Sequence, residues 1–252
     1  MKLCIYFGTE MPVPGWSDRA GEARRVDVVL EPYHPLVQGG GFADAFPDAR
    51  RYVYVNPTTV DPWVLGQLSD PPPLIGRDAR WNLPRLDLDH PDGFAWAVRA
   101  ACAALNGDDG RIHGAFVDDL DRLLPGREEI AMEYFVQVSH QLGWEPSWFI
   151  NRGFALWPRI ERLDAVLLED ITPHIAAHEA PDTVRWLREH VLPQVRAARA
   201  RGIPVHAMGY HDQHGALPDV APDNLLQVEL GRLVDSVTDG ADRMLHDWRW
   251  SS

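Results

Sequence analysis

The chain has 252 residues, of which 45% are hydrophobic and 24% charged, enough for one large core and the size of a single barrel-sized domain spanning residues 1–252. Its formal net charge of -13 argues against a nucleic-acid or anionic-membrane partner, since binding phosphate depends on clustered Lys and Arg. A neutral or cationic partner suits it better. The only lysine is Lys2, so the positive charge is almost all arginine. The N-terminus, MKLCIYFGTE, lacks a secretory apolar region, and no segment approaches the roughly 18 apolar residues of a membrane span. We therefore expect a cytoplasmic, soluble chain. Cys4 falls in the first predicted strand and Cys102 on the apolar face of a predicted helix, which points to buried thiols and not to a disulfide framework.

Apolar, β-rich runs recur along the chain at 2–7 (KLCIYF), 25–33 (RVDVVLEPY), 51–57 (RYVYVNP), a weaker 73–78 (PLIGRD), 113–121 (HGAFVDDLD), 146–153 (PSWFINRG), 164–171 (DAVLLEDI) and 203–210 (IPVHAMGY). Most are continuous and not alternating, as expected of parallel strands covered on both faces. Helical patterns lie between them. Asp61 before Pro62 reads as a cap followed by proline at the first helical position. Phe94, Ala97, Val98, Ala101, Cys102 and Leu105 share one helical face, with Asp92 as cap and Gly107 as stop. Ile130, Tyr134, Phe135, Val138 and Leu142 repeat the pattern before Gly143. A helix from Asp182 to Ala200 should be kinked or divided by Pro193, and Leu226, Leu230, Leu233 and Val237 predict a last helix. Eight strands alternating with helices in this length predict a (β/α)8 barrel, with an open doubly wound sheet as the alternative. No GxGxxG or GxxxxGK[ST] motif follows the first strand, which weighs against a nucleotide-binding fold.

In a barrel, the C-terminal strand ends form one face, where active sites sit. That face would collect Glu31, Tyr33, Asn56, Asp78, Asp118, Asp119, Asp121, Asn151, Arg152, Glu169, Asp170, Tyr210, His211 and Asp212. Asp118 and Glu169, ending the predicted fifth and seventh strands, are the pair suited to glycosidic cleavage, in which one carboxyl protonates the leaving oxygen and the other attacks or activates water. An acidic lining also suits a cationic amino sugar. Taken singly, Asp118, Asp119 and Asp121 are more commonly turn residues, because Asp is a default loop residue; the pattern across strands is what raises the catalytic reading. His206, His211 and His214 suggest a metal hydrolase as a weaker alternative, without an HExxH motif to support it. There is no GxSxG segment for a serine nucleophile.

The order GAFVDDLD (114–121), FINRG (149–153), DAVLLED (164–170), Trp186-Leu187 and RGIPVHAMGY (201–210) resembles glycoside hydrolase family 114, the endo-α-1,4-polygalactosaminidases and their barrel relatives. The resemblance spans residues 25–211 through short motifs. It implies a carbohydrate substrate, no cofactor, no metal, and Asp118 and Glu169 as the catalytic carboxylates, with Asp118 the nucleophile or base and Glu169 the acid/base. It further implies that Asp121, Asn151 and Tyr210 line the sugar site and that Trp81 or Trp157 offers a stacking surface. The sequence departs from the family where an Asp usually precedes the last strand's Tyr: here Gly209 stands in that place. A smaller glycoside, or a barrel that binds sugar without cleaving it, are the alternatives this leaves open.

Overall fold

The computed structural model describes residues 2–6, 26–79, 82–107, 111–123, 126–169, 181–209, 233 and 236–239. Eight parallel strands form one sheet: β1 (Lys2–Tyr6), β2 (Val26–Leu30), β3 (Ala49–Val55), β6 (Gly114–Val117), β7 (Ser147–Asn151), β8 (Leu163–Glu169), β9 (Val205–Gly209) and β10 (Ser236–Asp239), each paired with the next. The sheet curls until β10 approaches β1. The chain is thus a (β/α)8 barrel, as its apolar runs predict.

Two elements differ from the sequence expectation. The run at 73–78 is not a barrel strand: β4 (Leu74–Arg77) pairs antiparallel with β5 (Pro84–Leu86) in a separate ribbon. All four β4 residues are exposed, and Gly76 has φ 120, whereas a central parallel strand must be apolar and covered. The missing strand is β10, which includes Val237 of the expected last helix. A four-residue strand is too short to show a period of its own, so the preceding leucines carried the helical pattern through it. Asp118 consequently ends the fourth barrel strand and Glu169 the sixth, one place earlier than the sequence suggested, while their spacing of two strands is unchanged.

The helices follow their signals closely. Pro62–Leu65 is capped by Asp61, whose Oδ1 accepts from the Trp63 amide at 2.7 Å. In the helix Pro91–Leu105 the cap is His90, not Asp92: its Nδ1 accepts from the Asp92 amide at 3.2 Å. Glu128–Leu142 ends on Gly143 in the left-handed region at φ 72, where glycine carries no Cβ penalty. The long helix is divided, running as Pro181–Trp186, a π-turn over Leu187–Val191, then Leu192–Ala200. The widened turn accommodates Pro193, which lacks an amide to donate. Between β2 and β3 the crossover holds only two four-residue helices.

Strand alternation sorts side chains into two cores. Outward residues join one cluster with the helices, including Cys102. Inward residues Val29, Tyr52, Phe116, Phe149, Ala165, Leu167 and Met208 fill the barrel, with Phe149 edge-on to Tyr52 and to Phe116 at 5.4 and 4.9 Å. Two residues before Val29 and Tyr52, on the same face, Asp27 and Arg50 form a buried ion pair, and His206 Nε2 lies 2.8 Å from Asp27 Oδ2. Arg50 also donates to the Asp164 carbonyl at 2.9 Å, and the Tyr52 hydroxyl donates to the Asp164 carboxylate.

Candidate active site

Counting two residues in the other direction from the interior layer reaches the barrel mouth: Glu31 after Val29, Tyr54 and Asn56 after Tyr52, Asp118 after Phe116, Asn151 after Phe149, and Glu169 after Leu167. The period of a strand therefore aims all six side chains to the same end of the barrel.

At the centre is Asn151, only 2% exposed. Its Nδ2 donates to Asp118 Oδ1 at 2.7 Å and to Glu169 Oε2 at 2.6 Å. One amide group thus spends both hydrogens on two carboxyl groups from the strands on either side of its own. These two oxygens can lie no further apart than the two legs laid end to end, which is shorter than the roughly 6.5–9.5 Å separation of inverting glycosidases.

Asp118 collects two further donors: the Tyr54 hydroxyl to Oδ2 at 2.9 Å and the Asp119 amide to Oδ1 at 2.8 Å. These bonds favour its charged form, but they are outweighed. Burial, together with the nearby Asp119 and Glu169 carboxylates, pushes Asp118 up to about 8, so at neutral pH the pair keeps a proton. Glu31, 7% exposed, is raised well above the ordinary glutamate value by burial and by the charges of Asp61 and Asp118, against the opposing bond from Tyr33. The mouth therefore concentrates carboxyl groups that hold protons at neutral pH.

The other strand-end residues divide between this centre and its supports. Asn56 is committed on both sides: its Oδ1 accepts from the Thr58 and Thr59 amides at 3.0 and 3.1 Å, and its Nδ2 donates to Asp119 Oδ2 at 2.7 Å. Asp119 adopts φ 56 and pairs with Arg122 Nε at 2.9 Å; Arg122 in turn pairs with Asp78. Asp121 pairs with Arg152 Nε at 3.0 Å, and Arg152 also has φ 56. Tyr33 is half-buried, with the ring of Trp63 edge-on at 5.7 Å.

Trp157 is not a stacking surface. It is 2% exposed, packed against Phe154, and its indole nitrogen donates to the Arg152 carbonyl at 2.7 Å. The hydrophobicity of its surroundings claims both ring faces, leaving it to brace the turn after β7. Trp81, Asp170, Tyr210, His211, Asp212 and His214 lie outside the described residues. His206 is engaged with Asp27 inside the barrel, and His113 accepts from the Arg51 amide at 3.1 Å. Tyr54 escaped the sequence reading, although its place two residues before Asn56 on an alternating strand could have revealed it.

The chain is therefore a (β/α)8 barrel with two carboxyl groups bridged at its mouth. The solved structure of Aspergillus fumigatus Ega3, a complex with galactosamine, superposes with a TM-score of 0.56 over 94% of this chain and 89% of that one, at 13% identity. A family 18 chitinase from Crocus vernus aligns over 95% of this chain and 92% of its own, at 11% identity and a TM-score of 0.48. No family model matches the sequence, and no curated protein matches it. At such identities, the likeness to Ega3 bears on the fold.

Proposed function

We propose that this chain is a glycoside hydrolase of the retaining kind, acting on a carbohydrate through Asp118 and Glu169. The observation that carries the reading is the single Asn151 amide bridging the two carboxyl groups, which holds their facing oxygens closer than the separation of inverting glycosidases. Glu169 gives its proton to the glycosidic oxygen as the bond to the anomeric carbon breaks, and Asp118 attacks that carbon. Water, losing a proton to Glu169, then displaces Asp118 and releases the sugar. The three donors on Asp118 support the nucleophilic role, because each stabilises the anion. Burial and neighbouring negative charge oppose it, and a cationic amino sugar entering the mouth would lower the Asp118 carboxyl again. The galactosamine in the Ega3 structure and the net charge of -13 agree with such a substrate.

Hydrolysis of galactosamine, N-acetylgalactosamine and neutral glycosides, each with and without a chelator, tests the reading. Asp118→Asn and Glu169→Gln should each lower turnover by at least about a thousandfold while the protein stays folded. Parental activity in either variant removes that residue from the mechanism. Activity lost to the chelator and restored by a divalent ion would favour a metal hydrolase instead.

A further inference from the structure

A cavity of about 440 Å³ lies against the wall that β3 shares with the carboxylate site, within the usual range for a small-molecule pocket. One side is the face of the helix Pro91–Leu105 carrying Ala97, Ala100, Ala101 and Ala104. These positions are spaced i, i+3, i+4 and i+7, so one stripe of the helix presents methyl groups toward the cavity, with Arg99 and Ala103 beside it. Val60, Val64 and Trp96 add apolar surface.

Two features connect this space to a ligand. Glu31, Tyr54 and Asn56 line it, and these are the residues that adjoin the catalytic pair: Tyr54 donates to Asp118 and Asn56 to Asp119. Tyr134 also lines it, and among the described residues its hydroxyl makes no hydrogen bond, which leaves that group to meet a ligand.

We propose that this cavity binds the apolar aglycone of the substrate, an aryl or short alkyl group carrying one hydrogen-bonding atom for Tyr134, so that the chain cleaves small amphipathic glycosides. This rests on the glycosidase reading above. Against the alanine and valine part of the lining a polyhydroxylated sugar would lose its water with few bonds in return, while Glu31 and Arg99 remain at the lining to meet the sugar's own hydroxyls. An aryl group gains from the same surface. Asn56 and Asp61, two of the polar groups on the lining, are already bound to Thr58, Thr59 and Asp119 and to the Trp63 amide.

The experiment uses 1-naphthol as the probe, titrated into the full chain by calorimetry, with Ala100→Phe to fill the cavity and Tyr134→Phe to remove only the hydroxyl. Single-site binding is expected, weakened by at least about tenfold in Ala100→Phe and about fivefold in Tyr134→Phe, with thermal unfolding showing both variants folded. In hydrolysis, the ratio of kcat/KM for a 1-naphthyl glycoside over the methyl glycoside of the same sugar should fall about tenfold in Ala100→Phe. Absence of saturable binding, or binding indifferent to both substitutions, overturns the proposal. Should Ala100→Phe fail to fold, Tyr134→Phe alone decides: unchanged naphthol affinity in it overturns the proposal. Naphthol binding that responds to the variants in a chain that cleaves no glycoside supports the cavity as a ligand site and sinks the hydrolase reading separately.

Discussion

Asp118 is placed where its own charge is unfavourable, and this has consequences for both rate and stability. If Asp118 and Glu169 act as proposed, the pair must hold one proton, and the last proton leaves as Asp118 ionises near pH 8; kcat/KM should therefore fall above a midpoint of about 8. A pH–rate profile that stays flat to pH 10 would contradict this. For stability, a carboxyl raised above its unfolded value favours folding most strongly at low pH, and that contribution is lost as pH rises from about 4 through about 8. Asp118→Asn should then unfold a few degrees higher than the parent at pH 8.5, and the advantage should shrink at pH 5; scanning calorimetry at the two values measures it. At this scale the sequence was readable where strand ends coincide with carboxylates, as at Asp118 and Glu169. It was not readable for Trp157, because an aromatic beside a Gly-containing turn looks the same whether its ring faces a sugar or the core.

Among the elements, β6 and β7 carry two of the three central residues, and their pairing tolerates no side chain at Gly114. A Cβ there would sit 1.7 Å from the Ser147 carbonyl oxygen, with only backbone to give way. Gly114→Ala should part the two strands, lowering the unfolding temperature by at least about 10 °C or yielding aggregate; a melting point within two degrees of the parent would refute that packing. The helices were legible because caps and stops are local chemistry: Asp61, Pro193 and Gly143 act within one turn of where they stand. Short strands were not. β10 offers four residues, fewer than a periodicity needs, while β4 has strand-forming residues but no neighbour in the barrel, and pairing is a property of two segments and not of one.

Across the whole molecule, the buried ion pair inside the barrel is the counterpart of the acidic mouth. Burial alone would raise Asp27, yet the bonds from His206 and Arg50 hold it below the usual value. Its contribution to stability is present above the ordinary carboxylate range and is lost as pH falls through that lowered value. Arg50→Met would leave Asp27 buried with only His206 beside it, a loss of up to about 3–5 kcal/mol at neutral pH. The penalty should diminish as pH falls through the lowered Asp27 value, and denaturant melts at pH 7 and at acid pH compare the two. The barrel was legible at this scale because eight apolar runs and their crossovers leave few topologies for 252 residues, even with one run misassigned and another unseen. What no run shows is how residues far apart in sequence meet, which is why the bridging place of Asn151 emerged only from the fold. That bridge means the spacing between the two proposed reacting groups is gauged from within the sheet, by a side chain on the strand between them. The connections that build the rim and the alanine-walled cavity can then be exchanged, lengthened or lost over evolutionary time without recalibrating the reaction: a lineage could change what it cleaves while keeping how it cleaves.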